Sequence, residues 1–284
     1  MKILKRLIIQ LTLTIISIIL ISGLPELIIK KDFSSYLQKV KGVFVQIMHF
    51  NKMIYFNQGQ ERMFFPDIIE PYLYSLTILF AALIIAFCLA QLLTWCTSIM
   101  PHFIRAGIKN VLTMLESLPD LLVFALAQLF IVAVYKHTGV LISNVSSLGD
   151  ERIYAVPIIC LMILPFVYFY KMMVLLTEDE LAKPYVEMSI AKGMKRLYVL
   201  IVHVTRNTSE GVFHFSKSVL WFMISNLLLV EIIFNIHGIT HYMYHDFRPV
   251  MLAACLILLV IPFFLFYSML EWIGLRFAKR GEVV

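Results

Sequence analysis

The chain has 284 residues, of which 61% are hydrophobic and only 15% charged, with a mean hydropathy of +0.87. Globular proteins carry about 25% charged residues, so this composition excludes a water-soluble domain. The formal charge of +6 does not point to nucleic acid, because membrane proteins concentrate Lys and Arg in their cytoplasmic loops.

The first apolar run is Leu7–Leu24, preceded by Lys2, Lys5 and Arg6. Pro25, Glu26, Leu27 and Ile28 follow it without a small-residue cleavage site. That pattern predicts a retained helix with its N-terminus inside, not a signal peptide. Residues 25–70 then form a long external segment. In it Phe33, Tyr36, Leu37, Val40, Phe44, Ile47 and Met48 recur at helical spacing, which predicts a short helix with one apolar face on the membrane or the bundle. Further spans are predicted at Tyr72–Trp95, Val111–Tyr135, Ile153–Leu175, Val212–Phe234 and Pro249–Leu275, each near the length that crosses about 30 Å of hydrocarbon. Pro119 should bend the third span, since Pro removes one backbone hydrogen bond and a membrane bundle tolerates that loss.

Basic residues set the orientation. Lys2, Lys5 and Arg6, then Arg105 and Lys109, then Lys183, Lys192, Lys195, Arg196 and Arg206, then Arg276, Lys279 and Arg280 fall in alternate connections and at both ends. The intervening short loops hold only Lys136, Arg152 and Arg248. The expectation is an all-α integral membrane protein with six transmembrane helices and both termini cytoplasmic. Residues 1–70 would carry the first helix plus the external segment, and 71–284 a core of five helices with a cytoplasmic loop at 176–211. Cys88, Cys96, Cys160 and Cys255 lie in or beside apolar runs and read as small buried hydrophobes. No C-x-x-C spacing or disulfide framework is present.

The loop 176–211 is the most charged stretch. Glu178, Asp179 and Glu180 open it, and acidic residues suit a helix N-terminus. Pro184 fits the first turn of a short helix, and Gly193 is placed to end it. Val199, Leu200, His203 and Arg206 continue a second helix. The prediction is a helix–turn–helix that projects into the cytosol between two spans.

This loop resembles the EAA loop of bacterial ABC importer permeases, in which Glu-Ala-Ala is followed after three residues by Gly. Glu187, Met188, Ser189 and Gly193 keep that spacing, with Met188 and Ser189 in place of the alanines. Ala191-Lys192-Gly193, Val199-Leu200, and His203 followed by Arg206-Asn207 resemble the branch that serves oligopeptides, dipeptides and nickel. Ser117-Leu118-Pro119, Val230-Glu231-Ile232-Ile233-Phe234, Gly238 and Arg248-Pro249-Val250 are similar to further family segments. The likeness therefore covers most of residues 70–284. The chain departs from the family at Leu24-Pro25-Glu26, at His237 and at Ala278-Lys279-Arg280, which bears on the solute and not on the architecture.

The resemblance implies a type I ABC importer permease that forms half of a translocation path beside a second permease subunit. Two ATPase subunits would bind ATP and Mg, and an extracellular substrate-binding lipoprotein would deliver the solute. Glu187, Ser189, Ala191, Lys192, Gly193 and Met194 would contact an ATPase. A nickel or metal-chelate permease of the same family is the alternative. No Walker A sequence is present, so the chain itself is expected to hold no cofactor and to catalyse nothing. The protease signatures H-E-x-x-H and G-x-S-x-G are absent, which argues against an intramembrane enzyme. The repeated halves of a secondary carrier are absent too.

Ionisable groups inside spans are costly and face the interior. Glu116 and Asp120, four residues apart, are expected on one helix face, with Lys217 as their partner near an inner gate or all three reaching water at the interface. Gln91, Gln128, Ser225 and Asn226 would line the path or bond helix to helix. Glu231, His237 and Gly238 belong to an external loop. There His237, His241 and His245 would form a stripe with Asp246 adjacent, a geometry open to Zn, Ni or Cu.

Overall fold

The computed structural model describes residues 2–57, 60–138 and 152–281. The chain runs through α1 (Lys2–Lys30), α2 (Phe33–Met48), a 3-10 turn (Phe50–Lys52), β1 (Ile54–Asn57), β2 (Gln60–Met63), α3 (Phe64–Asp67) and α4 (Ile69–Ile99). It continues through α5 (His102–Glu116), α6 (Asp120–Thr138), α7 (Ala155–Leu181), α8 (Pro184–Ala191) and α9 (Arg196–Tyr198). A π-helical turn (Val199–Val204), α10 (Thr205–Ile233), α11 (Ile239–His245) and α12 (Pro249–Gly281) complete it.

Among the described residues six helices are long and apolar enough to cross a membrane: Leu7–Ile29, Ile69–Ile99, Asp120–His137, Ala155–Leu181, Arg196–Ile233 and Pro249–Glu271. Helix is the form expected there, because a helix satisfies its backbone N–H and C=O groups internally where no water is available. All six differ from the predicted limits by several residues at one end or both, and three of the shifts move a functional group. The third span begins at Asp120, not at Val111. Pro119 separates two helices instead of bending one, since it has no N–H to give the preceding turn; Leu122 and Val123 N–H groups bond to its carbonyl and start α6. Glu116 and Asp120 consequently sit on different helices. The fourth helix runs on to Leu181, so Glu178, Asp179 and Glu180 close a helix instead of opening one. The second helix of the charged loop does not stand apart, because it continues through the π turn into the fifth span.

The chain divides into two compact units, residues 1–76 with 237–284, and residues 77–236. In the first unit, Asp32 caps α2 by accepting the Ser34 and Ser35 N–H groups at 3.1 and 3.0 Å and both hydroxyls. Those four donors hold its carboxyl well below the usual carboxylate range. α2 buries Tyr36 and Val43, with Val40 and Ile47 beside them, against Ile15, Ile18 and Ile19 of α1 and Ala253 and Ile257 of α12. Phe33, Leu37, Phe44 and Met48 of the predicted apolar face are exposed instead. The helix lies where the periodicity placed it; Tyr36, Val40 and Ile47 of the apolar set turn to protein and the other four face outward. An antiparallel pair, Ile54↔Met63 to Asn57↔Gln60, follows, where no strand was predicted.

The second unit packs α10 along α7. Their close approach is visible at Gly211, where a Cβ would lie 2.8 Å from Leu176 Cδ1. Aromatic rings fill the interior: Phe169 meets Phe87 and Phe215 edge-on, and Tyr168 meets Phe222.

Candidate functional site

α8 starts with Pro184 at its first position, where the missing N–H costs nothing. It ends in a Schellman motif. The Met194 N–H bonds to Ser189 O at 3.2 Å and the Gly193 N–H to Ile190 O at 2.8 Å, with Gly193 at φ 87°. Only glycine takes that left-handed conformation without a steric penalty. The motif turns the chain so that Met194 packs beside Val186, Val199, Leu200 and Val204, with Trp95, Leu181 and Tyr185 around them. One face of α8 is thus held in a small apolar core. Glu187, Met188, Ile190, Ala191, Lys192 and Gly193 are exposed on the rest, and Ser189 donates its hydroxyl to Tyr185 O.

The base of α8 is tied down by Glu180, a buried carboxylate that accepts Lys183 Nζ at 2.5 Å, Tyr185 Oη at 2.9 Å and Asn207 Nδ2 at 2.9 Å. Burial first, and the hydrogen bond to Glu180 second, push the Tyr185 hydroxyl pKa up. Trp95 Nε1 donates to Thr205 Oγ1 at 3.0 Å, and Thr205 Oγ1 in turn bonds to Leu200 O at 3.0 Å beside the π turn. Helices α4, α7, α8 and α10 therefore meet at one polar knot. Of its members, sequence reasoning singled out Glu180, Lys183, Leu200 and Asn207, and none as a tether; a carboxylate five residues before a Tyr and near a Pro was the available signal.

A second polar cluster joins α5 to α7. Arg105 donates to Glu178 at 3.2 Å and to the carbonyls of Thr97 and Ser98, which lie at the end of α4. Lys109 Nζ reaches both Glu178 oxygens at 2.9 Å. Glu116 pairs with Lys171. The two carboxylates would be unfavourable near a helix C-terminus, and these cations offset that. An open cleft of ≈ 430 Å³ lies along the cluster, lined by Lys109, Thr113, Glu116, Tyr168, Lys171, Met172, Leu175, Glu178 and Phe215. Asp120 stands close enough to act on Tyr168 electrostatically, as Glu116 does. Lys217 lies two residues beyond Phe215, its Nζ 4.9 Å from the Phe213 ring. Lys171 and Glu178 were not foreseen as cleft residues, because an isolated Lys in an apolar run shows no partner in sequence.

Elsewhere in this unit Gln128 Nε2 donates to Ile233 O at 2.8 Å, binding α6 to α10, and Asn226 is buried. Ser225 bonds to the Trp221 carbonyl of its own helix, and Gln91 is half-buried. Glu231 is fully buried near the end of α10. That helix closes in a second Schellman motif, Ile236 N–H to Glu231 O at 2.8 Å, with Asn235 at φ 52° in the conformation Asn tolerates.

In the first unit Gly238 precedes α11, and His237, His241 and His245 stack along it with ring centroids 4.7 and 4.0 Å apart. The predicted stripe is present. Among the described residues no group of three His, Cys, Asp or Glu side chains is arranged to hold a metal ion. Burial, then the neighbouring rings, push the His241 pKa down to about 4. Asp246 is engaged by Arg248 at 2.6 Å and by the Phe56 N–H at 3.1 Å. Burial alone would raise the Asp246 pKa, and these donors outweigh it, leaving it lowered. Together with Tyr55, Phe56, Pro71 and Tyr242 these groups line a small pocket of ≈ 100 Å³.

No curated protein matches the sequence. Residues 92–280 match the family described as binding-protein-dependent transport system inner membrane component, a stretch that holds the exposed α8 and both polar clusters. That match covers well over half of the chain and accords with its six membrane-crossing helices. The chain belongs to this family of inner-membrane ABC transporter permeases, which are transport subunits and not enzymes.

Proposed function

We propose that the chain is the permease of an ATP-driven importer for peptides or similar small solutes, with both termini in the cytoplasm. It forms half of the path beside a second permease. The cleft that carries Glu116, Lys171 and Glu178 belongs to that path, and Asp120 and Lys217 flank it. The exposed side of α8 docks on one of two ATPase subunits, which bind ATP and Mg, and an extracellular lipoprotein supplies the solute.

The observation that carries this reading is α8 itself. It is a short helix closed by a Schellman turn that keeps Met188 and Ile190 exposed beside Glu187 and Lys192. Apolar side chains displayed on a structured, charged element outside the membrane mark a protein contact. The motif Ala191-Lys192-Gly193, with His203, Arg206 and Asn207, favours the peptide branch. Affinity isolation of the chain in mild detergent tests the docking. The native chain is expected to bring down a second permease and the ATPases, and Glu187→Ala is expected to lose the ATPases alone. ATPases that bind equally well to Glu187→Ala would overturn the α8 contact. Cells lacking the chain are expected to lose uptake of a labelled tripeptide mixture; unchanged uptake would overturn the peptide assignment.

A further inference from the structure

Helix α5 is amphipathic with the usual order of its faces reversed. Its three ion-pairing residues, Arg105, Lys109 and Glu116, are turned to α7, where Glu178 and Lys171 meet them, and Leu112 is buried with them. On the opposite side Phe103, Gly107, Val111 and Met114 follow at helical spacing with Ile104 beside them. Phe103 is 87% exposed, Met114 73% and Val111 59%. In water the cost of exposing such a stripe, about 25 cal/mol per Å², would turn the helix over and hide the apolar side. The order seen here is stable only if the medium outside is itself apolar.

The ion pairs also fix the depth of α5. Its first turns face Glu178, near the end of α7, while its last turn faces Lys171, about 10 Å further along that span. Only Met100 and Pro101 link α5 to the α4 span, and only Ser117, Leu118 and Pro119 link it to the α6 span. The helix is therefore held beside the terminal part of a membrane-crossing element at both of its own ends. On its other flank Lys109, Thr113 and Glu116 line the open cleft.

We propose that α5, which does not cross the membrane, is seated in the leaflet on the α8 side of the bilayer. Phe103, Ile104, Val111 and Met114 contact lipid acyl chains, and α5 forms the wall that separates lipid from the polar cleft. Unlike an interfacial amphipathic helix, which lies in the plane of the membrane surface with its charged face to water, α5 is inclined along α7 and turns its charged face to protein. The inference does not depend on the solute or on the ATPase contact.

Nitroxide labels on a cysteine-free chain in phospholipid nanodiscs test it. Labels at positions 103, 111 and 114 are expected to collide with oxygen more readily than with a water-soluble nickel chelate. A label at Thr113 is expected to show the reverse order. Ready collision with the chelate at 103 and 114 would overturn the proposal, and so would low access to both reagents, which would indicate protein cover. If removal of the cysteines prevents folding, benzophenone side chains at 103 and 114 of the otherwise native chain serve in cell membranes. Lipid adducts by mass are then expected, and adducts to protein alone would overturn the assignment.

Discussion

Glu180 shows how one side chain can hold a functional element. Three donors converge on it, and removing this buried acceptor loses three hydrogen bonds, each worth about 0.5–1.5 kcal/mol net, while the exposed Lys183 and Asn207 are free to turn to water. Glu180→Ala is therefore expected to lower the thermal midpoint of the purified chain. Tyr185→Phe, which deletes only one of the donors, is expected to lower it by clearly less. His241 makes a prediction of opposite chemical sense. Its pKa is depressed from 6.5 to about 4, so the folded loop favours the neutral ring. The stability this supplies is complete above pH 6.5 and is lost as pH falls towards 4. The groups around it bear this out: His237, His245, Tyr244 and Tyr242 pack against it, while Asp246, in the same pocket, is committed to Arg248. The protection factors of residues 239–248, exchange rates taken relative to the intrinsic rate at each pH, are expected to fall between pH 6.5 and 5, and His241→Asn is expected to abolish that dependence.

Capping decides the element scale. The turn after α8 requires a positive φ at Gly193, and a Cβ there would meet open space. Gly193→Ala is thus penalised by backbone conformation alone, at about 1 kcal/mol. Gly193→Asn is expected to cost less than Gly193→Ala in a thermal unfolding series; equal costs would mean that the turn is not what the position demands. Pro184 and Gly193 made both ends of α8 legible in the sequence, because the punctuation of a helix is local chemistry. The break between α5 and α6 was not legible in the same way. Hydropathy averaged over a window joins both sides of Pro119 into one span, and nothing local says whether a Pro will kink a helix or divide it. The direction of α2 was hidden for a related reason, since an apolar stripe does not declare whether lipid or protein will cover it.

At the scale of the molecule, the spans were readable because twenty apolar residues have few alternatives to a helix in hydrocarbon. The clusters that tie the spans together were not. Arg105–Glu178, Glu116–Lys171 and Trp95–Thr205 bring together residues 73, 55 and 110 positions apart, and one sequence has no record of such pairings. Of the basic residues that served to orient the chain, Arg105, Lys109, Lys183 and Arg248 proved to hold ion pairs as well. The orientation has its own test. A cysteine at Lys192 is expected to react with an impermeant maleimide only after cells are opened, and one at His245 in intact cells. The reverse pattern would invert the topology.

The π turn at Val199–Val204 has a consequence for rotational phase. Leu200, Val204, Thr208, Val212, Ser216 and Leu220 are all buried, in steps of four residues. An ideal helix overshoots by about 40° at each such step, so five steps would carry Leu220 to nearly the opposite side from Leu200. A π turn takes up one extra residue and so gives back about 100° of that drift. It acts as a vernier between two screws, one facing the α8 core and the other facing α7. Deleting a single exposed residue inside it, Ile201 or Val202, should restore a regular helix and swing Leu200 out from under α8, although no contact residue would have been altered.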